Sequence, residues 1–513
     1  MKQWRPYRAV KKKIDSQSVS ETLMQALSDY LTRRVGLHFA KKSWKDLLSK
    51  VNGAMTDFGF DRIDEFISWL LSSSPSQHQI EILASHLTVG ETYFFRERKA
   101  FEILEQFLLP NLITSRRETE KRIRFWSAGC STGEEAYSLA ILLDKVIPDL
   151  KDWKVTILAT DINTGAIRKG EEAIYSNWSF RDTPQWFKDR YFEKVDVSHH
   201  RLRFSIREMV TFSYLNLSED LYPALQNNTN AMDFIFCRNV LMYFSPEQTK
   251  LTVERFHRSL INGGCLIVSP IETTLLTDSP FVMVRSNDSI YYKKDIYKTK
   301  TSSKDVKRIE ESEGTLPLIS PTHVKRRRAE KPSRSTGPHV LIQPEKREQS
   351  PYEEAASLYE NGFYLEAEEK LRNSFSMGNG KQQSRVLFAK VLANQGKLDE
   401  ACDFCEEVLS SDKSNAYMHY LLATILEEQQ RSDEARISLK KALYLDRNFI
   451  LAHFALANLA LRSGKTIEAR KHFDNVMEIL SIYKPDDIIP ESEGITAGRL
   501  AEIIGTSGAQ EIA

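Results

Sequence analysis

Two carboxylates, Glu134 and Glu135, follow a loop of small residues, Gly129-Cys130-Ser131-Thr132-Gly133, which itself follows the run Ile123-Arg124-Phe125-Trp126-Ser127-Ala128. A strand that runs into a small-residue turn opening a helix is where an open α/β sheet lets backbone approach an adenosine-type ligand. The loop lacks the G-x-G-x-x-G spacing, and a glycine-poor turn ending in two acids repels phosphate where a dinucleotide fingerprint attracts it. The pattern favours a ligand with a sugar and a cation over one with a pyrophosphate. S-adenosylmethionine is the common cofactor of that description.

Three further segments carry groups suited to the same ligand. In Thr92-Tyr93-Phe94-Phe95-Arg96-Glu97, the planar fork of Arg96 suits a carboxylate, either of a methionine moiety or of a substrate; an ion pair with Glu91 or Glu97 is the competing use. In Leu158-Ala159-Thr160-Asp161-Ile162-Asn163, an acid ends a strand where ribose hydroxyls are bound in nucleotide folds, while capping the helix from Thr164 is its rival role. In Asp233 to Phe244, a buried strand ends in Arg238-Asn239 at the expected ligand crevice, and Tyr243 follows, either at the crevice or in the core.

Positioning these groups requires a sheet, and the chain supplies one between helical regions. At 513 residues, 41% of them hydrophobic, it has room for about three domains. Lys+Arg 71 against Asp+Glu 70 gives no bulk charge that would direct it to DNA or an anionic membrane. Five cysteines, odd in number, fit a reducing compartment, and Cys402-x-x-Cys405 reads as one face of a helix rather than a zinc half-site. No signal-peptide core or spanning run is evident, so a cytoplasmic location is expected, without membrane insertion and without a nucleic-acid partner.

Residues 17–90 show helical periodicity, as in Leu23-Met24-Ala26-Leu27-Tyr30-Leu31 and Ile63-Phe66-Ile67-Leu70-Leu71. Residues 91–298 alternate helices with the apolar strands Ile123 to Ser127, Val155 to Ala159, Phe234 to Cys237 and Cys265 to Ser269, which predicts a doubly wound parallel sheet. Alternation over Arg201 to Thr211 predicts an antiparallel pair in an inserted β-subdomain at about 190–214, and Phe281 to Tyr292 reads as closing antiparallel strands. Residues 299–350, with the basic tetrad Lys325 to Arg328, lose all periodicity and read as a flexible linker. From 351 to 483, Ala355, Ala389, Ala423 and Ala457 recur every 34 residues, as do Ala367, Ala401, Ala435 and Ala469. Gly362, Gly396 and Gly464 mark a fixed point between them, with Gln430 in the remaining copy. That is the tetratricopeptide period, which predicts an all-α solenoid presenting a surface to a protein or peptide, or else a spacer or dimerisation module. Residues 484–513 are left as a C-terminal tail.

Together, Thr92-x-x-Phe95-Arg96-Glu97, Trp126 to Ser138, Ala159-Thr160-Asp161-Ile162 and Phe236 to Phe244 closely resemble the CheR-type chemotaxis protein-glutamate methyltransferases, over residues 17 to about 298. The resemblance implies an N-terminal helical domain, a Rossmann-like methyltransferase sheet with a small β-subdomain, and, as in some members, C-terminal tetratricopeptide repeats. It implies that Thr92, Arg96, Gly129, Glu135, Asp161, Asn216, Leu217, Arg238 and Asn239 surround S-adenosylmethionine, with Arg96 and Tyr243 nearest the chemistry and no metal. The implied reaction forms methyl esters on glutamates of a chemoreceptor-like protein. The chain departs from the family pattern at Gly90, where an Asn is usual, in the helix around Lys50, which keeps one cation, and at Ser269-Pro270-Ile271-Glu272, in place of a His-Ser-Glu turn. Those departures motivate a second expectation, a cofactor-binding scaffold that works mainly through its repeats.

Overall fold

The computed structural model describes residues 19–295 and 350–504, apart from positions 74, 287, 288, 379, 380, 493, 499 and 502. The stretch expected to be a linker, with its basic tetrad, lies outside the described residues except for Ser350.

Four main helices, Glu21–Val35, Trp44–Met55, Ile63–Ser72 and Gln77–Leu87, build the N-terminal region. Ser20 caps the first by accepting from Leu23 N–H, and Ser76 with Gln79 forms a reciprocal capping box on the fourth. Their apolar stripes meet in a core of Leu27, Leu31, Leu47, Phe66 and Ile67, against which Ile162, Tyr243 and Phe244 of the sheet region also pack. The helical region is thus fastened over one end of the sheet.

The main sheet has strands β1 (Arg122–Ala128), β2 (Lys154–Asp161), β6 (Val210–Tyr214), β7 (Met232–Phe236), β8 (Leu260–Ile267), β9 (Val282–Ser286) and β10 (Ser289–Lys293), in the order β6-β2-β1-β7-β8-β10-β9. The first five are parallel; β10 pairs antiparallel with β8 and with β9. Central β1 is buried along its whole length, and its side chains alternate between two cores, Ile123 and Phe125 on one face and Trp126 and Ala128 on the other.

The antiparallel reading of Arg201 to Thr211 is corrected. The small sheet is β3 (Ile174–Ser176), β5 (His199–Leu202) and β4 (Phe192–Lys194), whereas Phe204–Arg207 is a helical turn and Val210–Tyr214 crosses back as the parallel edge strand of the main sheet. The alternation misled because apolar residues at 202, 204 and 206 suit one face of a strand, whereas here Leu202 and Ile206, four apart, are buried and Phe204 between them is exposed, as on a helical turn.

The C-terminal region is four helix pairs: Pro351–Glu360 with Tyr364–Ser376, Gln382–Asn394 with Leu398–Ser411, Ala416–Glu428 with Ser432–Leu445, and Ile450–Arg462 with Thr466–Leu480. The periodic alanines are buried where helices approach most closely, and Gly362, Gly396, Gln430 and Gly464 turn the chain within each pair at positive φ. Cys402 and Cys405 are buried free thiols in one helix, and no three His, Cys, Asp or Glu among the described residues are grouped to hold a metal. Beyond Leu480 the chain does not trail away: Ile489, Leu500 and Ile504 join the repeat core. Among the described residues no helix is long and apolar enough to cross a membrane.

The repeats dock on the amino ends of β1 and β7. Arg124 lies 3.4 Å from Glu428, Arg122 donates to Gly396 O at 3.0 Å, and Arg258 donates to Glu360 O at 2.8 Å. A Cβ at Gly396 would stand 2.5 Å from the Arg122 guanidinium, and one at Gly362 2.3 Å from Arg258 Cγ, so two turn glycines also admit the partner surface. Leu225 of the sheet region completes the apolar part of the seam within the repeat core.

Candidate functional site

At the carboxyl ends of β2, β1 and β7 a cavity of about 640 Å³ opens between the sheet and the N-terminal helices. The loop after β1 reaches it by a tight turn: Gly129 N–H and Cys130 N–H both donate to Thr160 O, and Gly129 adopts φ +85°. A Cβ at Gly129 would stand 2.3 Å from Val240 Cγ2, so the residue must be glycine for two loops to meet above the sheet. Gly133 then opens the helix Glu134–Val146 at φ +89°.

The paired acids part company. Glu135 faces the cavity, where it accepts from Ser127 Oγ at 2.7 Å and from Arg238 Nη1 at 3.0 Å; burial pushes its carboxyl up, and Arg238 and Ser127 oppose that shift. Glu134 instead turns under the loop to Thr132 Oγ1 and Ser179 Oγ, the latter in the short helix that follows β3. Tyr175 of β3 donates to Thr132 O at 2.8 Å, so the small sheet supports the loop from below.

Asp161 lines the cavity at the end of β2 and accepts from Ser131 N–H and Asn163 N–H, each at 2.8 Å. Burial raises its carboxyl and those backbone donors hold it down. The helix-cap role belongs to Asn163, whose side chain accepts from Ala166 N–H at 3.0 Å. Ser131 Oγ is buried with no partner among the described residues, and Gly90 lies beside it: a Cβ at Gly90 would meet that hydroxyl at 3.5 Å, an ordinary contact.

Arg238 is buried between Glu135 and Glu97, 3.1 Å from the latter, and also donates to Arg96 O. Glu97 is therefore committed to Arg238, and the Glu91 carboxylate to Arg181 at 3.2 Å. Among the described residues Arg96 donates only to the backbone oxygen of Glu91, and it lines the cavity. Neither ion pair weighed for Arg96 in the sequence forms. Tyr243, half-buried on the cavity wall, has its hydroxyl pushed up by burial, with Arg96 opposing.

Thr92, Asn216, Leu217 and Asn239 also line the cavity. Asn216 does so with its side chain already engaged: it donates to Arg34 O and Glu219 and accepts from Ser218 N–H and Oγ. The wall built from Val35, Leu37, His38 and Phe39, where His38 N–H donates to Tyr243 O at 2.7 Å, is absent from the sequence reading, and no residue type there signals it. Lys50 also borders the cavity; its ammonium donates to Leu87 O at 2.8 Å and lies 3.5 Å from Asp46.

The cavity thus combines carboxylates suited to a diol and a cation with the Arg96 guanidinium, suited to a carboxylate, and it holds no phosphate-type glycine cradle. Comparison with known proteins points the same way. Residues 90–289 match the family described as "CheR methyltransferase, SAM binding domain", and residues 416–449 match "Tetratricopeptide repeat". The chain is 35% identical over 219 residues to chemotaxis protein methyltransferase 2 of Vibrio cholerae, covering 42% of this chain and 74% of that protein. It is 29% identical over 258 residues to a chemotaxis protein methyltransferase of Borreliella burgdorferi, covering 50% and 89%. A solved structure of MamA from Desulfovibrio magneticus is similar to 26% of this chain over 76% of its own length, at 21% identity and a TM-score of 0.25. With the methyltransferase match lying on the elements that build the cavity, the chain belongs to the CheR family of chemotaxis protein methyltransferases.

Proposed function

We propose that the protein transfers the methyl group of S-adenosylmethionine to glutamate side chains of a chemoreceptor-like protein, forming methyl esters. The observation that carries this reading is the convergence of Arg96, Glu135, Asp161, Arg238, Asn239 and Tyr243 on one cavity from four separate segments. In this reading Asp161 accepts from ribose hydroxyls and Glu135 faces the amino group, beside the backbone of Gly129, Asn216 and Leu217. Thr92 and Arg96 close the side nearest the substrate. Bound there, the cofactor supplies an electrophilic methyl on a sulfonium.

The acceptor needs no base, because a glutamate of pKa about 4.3 is already ionised at neutral pH. The protein's task is alignment and exclusion of water. Tyr243, its hydroxyl raised by burial, stays protonated at neutral pH and serves as a wall of the site rather than a base. Arg96, free of the carboxylates near it in sequence, is placed to steer an incoming carboxylate. The repeats, in the same proposal, recruit a protein or peptide partner. The sheet region occupies the edge formed by their first turns, while Tyr444 and Ile467 stand 87% exposed on other helices.

The scaffold reading gains nothing from the Ser269-Pro270 turn, which is fully built: Ser269 and Glu272 form a reciprocal cap. The test is methyl-labelled donor with a receptor cytoplasmic fragment. Label that alkali releases as methanol is expected. Base-stable label, or label on RNA, overturns the assignment to carboxylates, and tight cofactor binding without turnover on any co-encoded receptor favours the scaffold.

A further inference from the structure

We infer that Glu272 is a positioning residue for methyl transfer, holding by its carboxylate the loop that carries Asn239 and Tyr243 to the cavity. The inference rests on the cofactor site proposed above. Glu272 is fully buried in the short helix Pro270–Leu276 and does not itself line the cavity. Its Oε2 accepts from Asn239 N–H at 2.9 Å and from Ser269 N–H and Oγ; its Oε1 accepts from Val240 N–H at 2.7 Å and Met242 N–H at 3.3 Å. Five donors converge on one carboxylate. None of them is an arginine or a lysine.

The loop needs such an anchor. Asn239 sits at φ +59°, a left-handed conformation that Asn tolerates better than most residues but that still has to be held. In that conformation the successive N–H groups of Asn239 and Val240 point to one side and form an anion-binding concavity. Here the anion is a protein carboxylate. The far side of the loop bears Val240 against Gly129, and Tyr243 N–H and O join Val240 O and His38 N–H, so the anchor fixes the contact with the glycine loop and with the N-terminal wall.

Only a carboxylate meets the demand. Both oxygens face donors, so a glutamine would turn an NH2 group against backbone N–H groups. An aspartate keeps the charge and both acceptors but falls one methylene short.

The experiment is Glu272→Gln and Glu272→Asp in the full chain labelled with 3-fluorotyrosine, the Tyr243 fluorine signal being assigned by its loss in Tyr243→Phe. S-adenosylhomocysteine binding is measured in parallel by calorimetry. In Glu272→Gln the Tyr243 signal is expected to shift or broaden while the repeat tyrosines keep theirs, and affinity to fall tenfold or more. Glu272→Asp should restore part of both, and it carries the same measurements if the glutamine variant does not fold. An unchanged Tyr243 signal in both variants, or wild-type affinity in both, overturns the inference. If the wild-type chain binds no S-adenosylhomocysteine but the Tyr243 signal still moves, the cofactor reading fails while the positioning role stands.

Discussion

At the carboxyl ends of β1 and β7, a buried Arg238 and a partly buried Glu135 stand beside a cavity; at the amino ends of the same strands, Arg124 and Asp233 are buried more deeply and covered by protein. The basal group is tied together by hydrogen bonds, although Arg124 Nε, Glu428 Oε1 and both polar atoms of the Asn230 side chain are buried with no partner among the described residues. Arg116 forks onto Asp233, whose carboxylate also accepts from Arg124 N–H, and the Arg124 guanidinium is shared among Asn228, Asn230 O and Glu428. The upper group leaves room beside Glu135 and Asp161, which line empty volume. Buried charge alone therefore does not mark a functional site, since structural networks bury charge as well. The distinguishing feature is whether the surrounding protein fills the space the charges face.

The largest test exchanges one arginine at each end. Arg238→Met strands Glu97 and Glu135, and Arg124→Met strands Glu428; breaking a buried pair this way costs about 3–5 kcal/mol. Urea denaturation should show comparable losses for both. Calorimetry with S-adenosylhomocysteine should separate them, with binding lost in Arg238→Met and within about twofold of wild type in Arg124→Met, a difference of less than ~0.4 kcal/mol. A cofactor defect in the basal variant would show that the two ends are coupled.

Deleting residues 350–513 is the next step down. It uncovers Arg122, Arg124 and Leu225 at the base and touches nothing that lines the cavity. The thermal transition of the sheet region is expected to fall by about 5–10 °C, as a loss of roughly 2–3 kcal/mol would produce in a domain of this size. Cofactor affinity should persist. Loss of binding on truncation would mean that the base shapes the upper end.

Asp161→Asn probes the upper end alone. The substitution keeps size and removes charge from a group held by two backbone donors and facing the cavity. A tenfold or greater loss of cofactor affinity is expected, at least ~1.4 kcal/mol; because Oδ1 and Oδ2 each accept from a backbone N–H, the asparagine also turns its NH2 against one of them, so the thermal transition should fall as well. Unchanged affinity would remove Asp161 from the proposed ribose contact.

The sequence made the upper end legible and the base invisible, for one physical reason. Gly129 to Glu135, Asp161 and Arg238-Asn239 lie in short segments next to strands, where composition reports the backbone turn and the available chemistry. The partners of Arg124 lie 104 and 304 residues away, and nothing local to Ile123-Arg124-Phe125 tells a buried arginine from a surface one. The same limit hid the role of Glu272, whose acceptors serve a loop 30 to 33 residues upstream, and the wall from Val35 to Phe39. Period-34 alanines revealed the repeats because the packing constraint recurs. The docking of those repeats does not recur: Gly362 and Gly396 meet arginines, whereas Gly464 has open space around it.

The smallest effect, and the sharpest probe of the base, is its pH dependence. Lys294 is 3% exposed just beyond β10, where it donates to Leu260 O at 2.7 Å and lies over the Tyr364 ring of the first repeat pair. Burial pushes its ammonium down to about 7, with Glu366 opposing. Above pH 7 the folded chain releases this proton while the unfolded chain keeps it until near 10.5, so the unfolded state binds more protons in that window and stability rises with pH. Below pH 7 both states are protonated, and the folded state bears the full cost of a buried ammonium. His257, pushed down to about 3 by burial and by Lys294, stays neutral in the folded chain from pH 6 to 8; its own slope comes from protonation of the unfolded imidazole near and below pH 6.5 and is common to both proteins. Lys294→Met should therefore be more stable than wild type at pH 6, with an advantage that shrinks by about 1 kcal/mol between pH 7 and 8, within the limit of ~1.4 kcal/mol per pH unit for one proton. Parallel pH profiles for the two proteins would place Lys294 in water and the repeats away from the base.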